Sequence, residues 1–162
     1  MNVTIREFRA EDINDAIAVW NEVVADGVAF PQTDPLDEKE GLEFFAQQSF
    51  TGVACGEDGR VIGLYILHPN NIGRCGHICN ASYAVTSPYR GKGIGQQLVV
   101  HCLEKSRELG FRIMQFNAVV ASNASALHVY EKLGFIRLGT IPGGFLMKDG
   151  TYQDIILHYY PL

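Results

Sequence analysis

The stretch Arg90-Gly91-Lys92-Gly93-Ile94-Gly95 constrains this chain more than any other. An extended run, Gly76 to Thr86, leads into it, and a helical pattern, Gly95 to Leu109, leaves it. A helix start carries unpaired N–H groups and the positive end of the helix dipole, so the junction faces an anion. Glycines let consecutive amides turn toward one oxyanion, and Arg90 and Lys92 add positive charge. Phosphate or pyrophosphate suits such a cradle. A Walker loop needs Ser or Thr after its lysine, but Gly93 follows Lys92. A dinucleotide fingerprint needs another glycine where Gln96 stands. A glycine-rich turn with solvated charges stays open as the plainer reading.

The surrounding pattern frames the loop. Alternation over Val3 to Phe8 predicts a strand, and Asp12 opens a helix through Ile13, Ile17, Trp20, Val23 and Val24. Phe30 to Pro35 reads as a loop, and Asp37-Glu38 as the acidic first turn of a helix reaching about Ser49. Gly52 to Cys55 and Val61 to Leu67 flank an Asp58-Gly59 turn, as in a hairpin. Phe111 to Val120 predicts a strand parallel to the one before the glycine loop, since a helix separates the two. A helix over Ala124 to Leu133 follows, with Ser122 or Asn123 as N-cap and Gly134 at its end. Strands Phe135 to Ile141 and Thr151 to Tyr159 close the chain, joined by turns at Gly143-Gly144 and at Lys148-Asp149-Gly150.

The run Val85 to Gly95 resembles the acetyl-CoA loop of the GNAT N-acetyltransferases: Arg or Gln, two residues, Gly, one residue, then Gly or Ala. Asn123, Ala126, Tyr130 and Gly134-Phe135 are similar to that family's second signature, and the element order also matches. The resemblance implies a single α/β domain over residues 1–162, a mixed, mostly antiparallel seven-stranded sheet with helices on both faces. A narrower likeness is to enzymes acting on phosphinothricin and methionine sulfoximine, carried by Trp20-Asn21, Phe30, Gly139-Thr140, Gly144-Phe145, Lys148, Gly150 and Asp154. His77 to Ala81, with Phe116-Asn117, also resembles the proline-analogue acetyltransferases of yeast.

What the resemblance implies is acetyl transfer from acetyl-CoA to the amine of a small amino-acid-like compound by direct attack. Pyrophosphate would rest on the loop amides of Arg90, Gly91, Lys92, Gly93, Ile94, Gly95 and Gln96. Pantetheine would run along the backbone of Ala84, Val85 and Thr86, and Asn123 would hold its arm besides capping a helix. Tyr130 stands where the family carries a tyrosine near the cofactor sulfur, and a phenol protonated at pH 7 can donate to a thiolate; an amphipathic core tyrosine is the alternative. The base is less clear. Asn80 stands where the phosphinothricin type carries a glutamate and cannot take a proton. His77, three residues earlier on the expected strand, carries an imidazole that could accept the amine's proton through water, and alternation puts the two on opposite faces unless a bulge intervenes, which the resemblance implies here. Asn80 and Asn117 either bind each other and the backbone or grip a polar substrate and its oxyanion, with Phe30 as a further substrate contact.

Composition removes other classes. Thirteen Lys and Arg against 18 Asp and Glu give a net charge of −5, unsuited to a nucleic-acid partner. No window approaches a membrane span, and Met1 to Glu11 lacks a signal peptide's apolar stretch, so a cytoplasmic protein is expected. Cys55, Cys75, Cys79 and Cys102 read as reduced core thiols, with neither a metal site at Cys75-Gly76-His77-Ile78-Cys79 nor an acyl-carrying cysteine expected. A homodimer and a role in detoxifying amino-acid analogues are expectations from the resemblance alone. The rival readings are a protein N-terminal or lysine acetyltransferase and a non-catalytic acyl-CoA-binding module.

Overall fold

The computed structural model describes residues 1–162. Strands β1 (Thr4–Glu7), β2 (Phe50–Cys55), β3 (Val61–Pro69), β4 (Ile78–Val85), β5 (Ile113–Val120), β6 (Ile136–Leu146) and β7 (Tyr152–Pro161) form one sheet. Its order is β1-β2-β3-β4-β5-β7-β6. Every neighbouring pair is antiparallel except β4 and β5. Helices α1 (Ile13–Asp26), α2 (Glu38–Gln47), α3 (Ile94–Glu108) and α4 (Ala124–Leu133) complete the fold.

The helices divide between the two faces because each presents one apolar stripe. Ile13, Ala16, Trp20, Val23 and Val24 of α1 pack with Phe45 of α2 on Val53, Leu64 and Ile66. On the other face Ile94, Leu98, Val99, Cys102 and Leu103 of α3 meet Tyr65, Leu67, Cys79, Met114 and Phe116. Helix α2 starts where the acidic turn predicts: Asp37 accepts from the Glu40 amide at 2.8 Å while Glu40 accepts from the Asp37 amide at 3.2 Å. Asp12 precedes α1 but serves Arg6, with two bonds of 2.8 Å, and the Arg9 amide rather than the helix.

The feature that makes a site is a divergence. Strands β4 and β5 pair only at Ile78↔Ile113 and Cys79↔Met114. Beyond these, β4 stays in unbroken register with β3 from Pro69↔Cys79 to Gly63↔Val85. Strand β5 follows β7 through a bulge between Phe116 and Val119. A bulge bends and twists its strand, so β5 turns from β4 and leaves a wedge open toward the C-terminal ends of both.

Four expectations need correction. The extended run starts at Ile78, because Gly73–Cys75 form a 3-10 turn, and it ends at Val85 before another at Ser87–Tyr89. The bulge expected in β4 is absent. Gly143-Gly144 is not a turn: β6 runs through it with a register shift between Ile141 and Phe145, and the reversal lies at Met147 to Gly150. Cys55, Cys79 and Cys102 are buried, whereas Cys75 is exposed because its 3-10 turn stands off the core.

Candidate active site

Backbone geometry builds the glycine loop. Gly91 and Gly93 take φ of 74° and 80°, a left-handed conformation that a Cβ disfavours, and α3 begins at the next residue. The amides of Gly91, Lys92, Gly93, Ile94, Gly95 and Gln96 donate to no group of the protein. Six consecutive free donors at a helix start form an anion cradle. Lys92 lies 5.3 Å from the Tyr89 ring centre and makes no ion pair. Arg90 turns away: its Nε donates to the Val85 carbonyl at 2.8 Å, and its Nη2 reaches Asp26 at 3.1 Å.

The register tells which β4 backbone groups face the wedge. Thr86 N donates to Ile62 O and Asn70 N to Ile78 O, so Ile78, Asn80, Ser82, Ala84 and Thr86 direct their backbone groups at β3. Ala81, Tyr83 and Val85 therefore point at the open edge. Ala84, named with Val85 for the pantetheine, is engaged with Leu64, and Tyr83 stands in its place. An alternation count from Thr86 could have found Tyr83, but the phase of the ladder is a tertiary fact.

On the α3 and α4 face, Tyr130 sits at the wedge with ring centres at 4.5 Å from Phe116, 5.3 Å from Phe135 and 6.4 Å from Tyr83. Its hydroxyl has no hydrogen-bond partner in the protein, and burial, with a lesser contribution from Cys102, pushes the phenol well above its ordinary range. The Tyr83 hydroxyl, also pushed up by burial, is enclosed without a partner beside this ring. Asn123 caps α4, its Oδ1 accepting from Ala126 N at 3.3 Å, which leaves its Nδ2 free to donate.

The opposite face gathers carboxamides. Asn117 and Asn70 exchange bonds of 2.6 and 3.2 Å, and Gln115 donates to Asn117 at 3.1 Å. Asn80 does not bind Asn117; its Oδ1 accepts from Ala81 N at 2.8 Å, so its Nδ2 is the group left to present. Gln115 and Asn70 went unnoticed in the sequence, where nothing marks them as neighbours of Asn117.

Two expected residues lie elsewhere. His77 is exposed in the turn before β4, its carbonyl accepting from Arg112 N at the closed end of the wedge. Six residues separate it from Tyr83, about 20 Å of extended chain. Phe30 is buried with its ring centre 4.4 Å from Trp20, so it serves the α1 core. The cysteines also stand apart from the chemistry: burial raises Cys79 to about 11 and Cys102 to about 12, leaving both protonated at neutral pH. No group of His, Cys, Asp and Glu residues here could hold a metal ion.

Comparison with known proteins agrees with this fold. Residues 16–135 match the model of the Acetyltransferase (GNAT) family. The chain is similar to N-acetyltransferase aca1 of Schizosaccharomyces pombe, 36% identical over 101 residues, covering 62% of this chain and 48% of that protein. It is 28% identical over 162 residues to L-methionine sulfoximine/L-methionine sulfone acetyltransferase of Pseudomonas paraeruginosa, covering 96% and 92% of the two chains. A phosphinothricin acetyltransferase from Sinorhizobium meliloti, solved in complex with AcCoA, superposes with a TM-score of 0.92 at 26% identity, covering 100% of this chain and 89% of the other. With a model match over most of its length, the free-amide loop and the opened sheet, the chain belongs to the acetyltransferase (GNAT) family.

Proposed function

We propose that residues 1–162 act as one acetyltransferase unit, moving acetyl from acetyl-CoA to the amine of a small amino-acid-like compound. The observation that carries this is the wedge between β4 and β5, with a protonated phenol on one face and a set of carboxamides on the other. The residues fit the cofactor: the amides of Gly91 to Gln96 suit a pyrophosphate, the open edge of Tyr83 and Val85 suits an amide-bearing arm, and Asn123 Nδ2 offers one more donor. Acetyl-CoA supplies an activated thioester. Tyr130 holds a proton for the departing sulfur. Asn80 Nδ2, with the held Asn117, offers donors to a developing oxyanion or a substrate carboxylate.

Asn70, Asn80, Gln115 and Asn117 take up no proton, and His77 stands at the far end of β4. The amine therefore enters neutral and yields its proton to water. The acidic limb of kcat/KM should follow the acceptor's own amine pKa and should persist in His77→Ala; a limb that stays fixed across acceptors would instead reveal a side-chain base.

Likeness to enzymes named for methionine sulfoximine and phosphinothricin supports the acceptor class and, with it, a role in detoxification. A homodimer is part of the same reading, supported by Ile136, Leu138, Ile141 and Leu146, all exposed on edge strand β6, and sedimentation analysis tests it. The deciding experiment is mass-spectrometric detection of acetylated products from acetyl-CoA and a panel of amino acids, their analogues, polyamines and short peptides. Acetylation of an amino-acid-like amine is expected. Product from peptides alone would overturn the acceptor class, and cofactor binding without product would leave a binding module.

A further inference from the structure

The loop that offers six free amides has little holding it from within. Between Val85 and Ile94 it carries two left-handed glycines and no buried side chain. Its orientation comes from α1. Glu22 accepts from Thr86 Oγ1 at 2.7 Å and from Ser87 N at 3.1 and 3.3 Å. One helical turn on, Asp26 accepts from Arg90 at 3.1 Å, and the same guanidinium nitrogen lies 3.9 Å from Glu22. Arg90 Nε closes the arrangement on the Val85 carbonyl. Two carboxylates thus grip Thr86 just after β4, the start of the 3-10 turn at Ser87 and the first residue of the loop, Arg90.

We propose that Glu22, with Asp26 and Arg90, is the positioning set for the acetyl-CoA loop, and that Arg90 acts by holding this loop rather than by touching phosphate. The proposal rests on the cofactor reading above. Its physical basis is preorganisation: a cradle of amides binds an anion tightly only if the amides converge before the ligand arrives. Arg90 has its charge met by two carboxylates and its Nε spent on a carbonyl. Lys92 is the loop cation left to meet the anion. Helix α1 also holds the chain before α2, since Asn21 exchanges bonds of 2.8 and 2.9 Å with the Leu36 backbone. Adjacent residues of one helix thereby fix both the cofactor loop and the chain that follows α1.

Calorimetric titration of acetyl-CoA into the full chain tests this. Glu22→Ala should weaken binding about tenfold, and the isosteric Glu22→Gln, which keeps an acceptor but not the charge, only about threefold. Steady-state kinetics should raise KM for acetyl-CoA by the same factors while kcat stays within about twofold at saturation. Arg90→Ala should match Glu22→Ala, and the double variant should add nothing, as for residues acting through one contact. The salt dependence of binding should survive in Arg90→Ala and flatten in Lys92→Ala. Glu22→Ala binding within about twofold of the unaltered protein, or a flattened salt dependence in Arg90→Ala, overturns the positioning role alone. Failure of the unaltered protein to bind acetyl-CoA overturns the cofactor reading and takes this assignment with it.

Discussion

Tyr130 illustrates how a side chain gains a role from its surroundings. Half-buried among Phe116, Phe135 and Tyr83, its phenol is held protonated well beyond the pH at which a free tyrosine ionises. Tyr130→Phe should therefore lower kcat by about a hundredfold with little change in acetyl-CoA affinity. The rate profile of the unaltered enzyme should show no basic limb from this group up to about pH 10; such a limb, lost in the variant, would contradict the raised phenol. The thiols give a second check at this scale. Cys75 is exposed, while burial keeps Cys79 and Cys102 protonated, so one thiol should react rapidly in the native protein and all four after denaturation. The spacing of Asn123 and Tyr130 was legible because both belong to one helix, whose period is local. His77 and Phe30 were misplaced for the opposite reason: whether a residue is the last of a turn or the first of a strand, or faces a core or a cleft, depends on distant packing.

Elements follow local chemistry closely. The reciprocal bonds of Asp37 and Glu40 start α2, and Asp37→Ala should cost about 1 kcal/mol in chemical denaturation. Gly93, at φ 80°, has open space where a Cβ would stand, so Gly93→Ala should strain the backbone by about 1–2 kcal/mol without a clash. Its larger effect should be on acetyl-CoA affinity, because a shifted φ at the helix start splays the amides, and unchanged affinity in calorimetry would return the loop to a solvated turn. Gly143-Gly144 shows where local reading ends. Two glycines in sequence signal a turn, yet β6 continues through them because β7 supplies partners on both sides of the bulge, Ile141↔Ile155 and Phe145↔Gln153.

At the scale of the molecule, the sheet and its two cores set the pH response. The Arg6 hydrogen bonds, with help from the Arg9 amide, lower the Asp12 carboxyl below its ordinary value. That stability is present above the unfolded value near 3.9 and is lost as pH falls through the folded value. Burial, aided by Arg137 against the bond to the Ile156 carbonyl, lowers His158. The unfolded chain then binds this proton more readily, so stability is complete above about pH 6.5 and declines as pH falls toward the folded value. The thermal midpoint should drop between pH 7 and pH 5, and the drop should shrink in His158→Gln; an equal drop would mean that His158 does not carry it.

The order of elements, the glycine-rich junction before α3 and the helix carrying Asn123 and Tyr130 were determined by the sequence itself, because capping, glycine conformation and apolar periodicity act within a few residues. Tertiary structure alone decided the phase of the β4 ladder, which turns Tyr83 rather than Ala84 to the open edge. It also decided the meeting of Asn70 and Gln115 with Asn117, and the turning of Arg90 toward Glu22 and Asp26. These contacts join residues as many as 68 positions apart, Glu22 and Arg90. They exist because strand registers and helix packing set which distant side chains meet, and those are fixed only when whole strands pair.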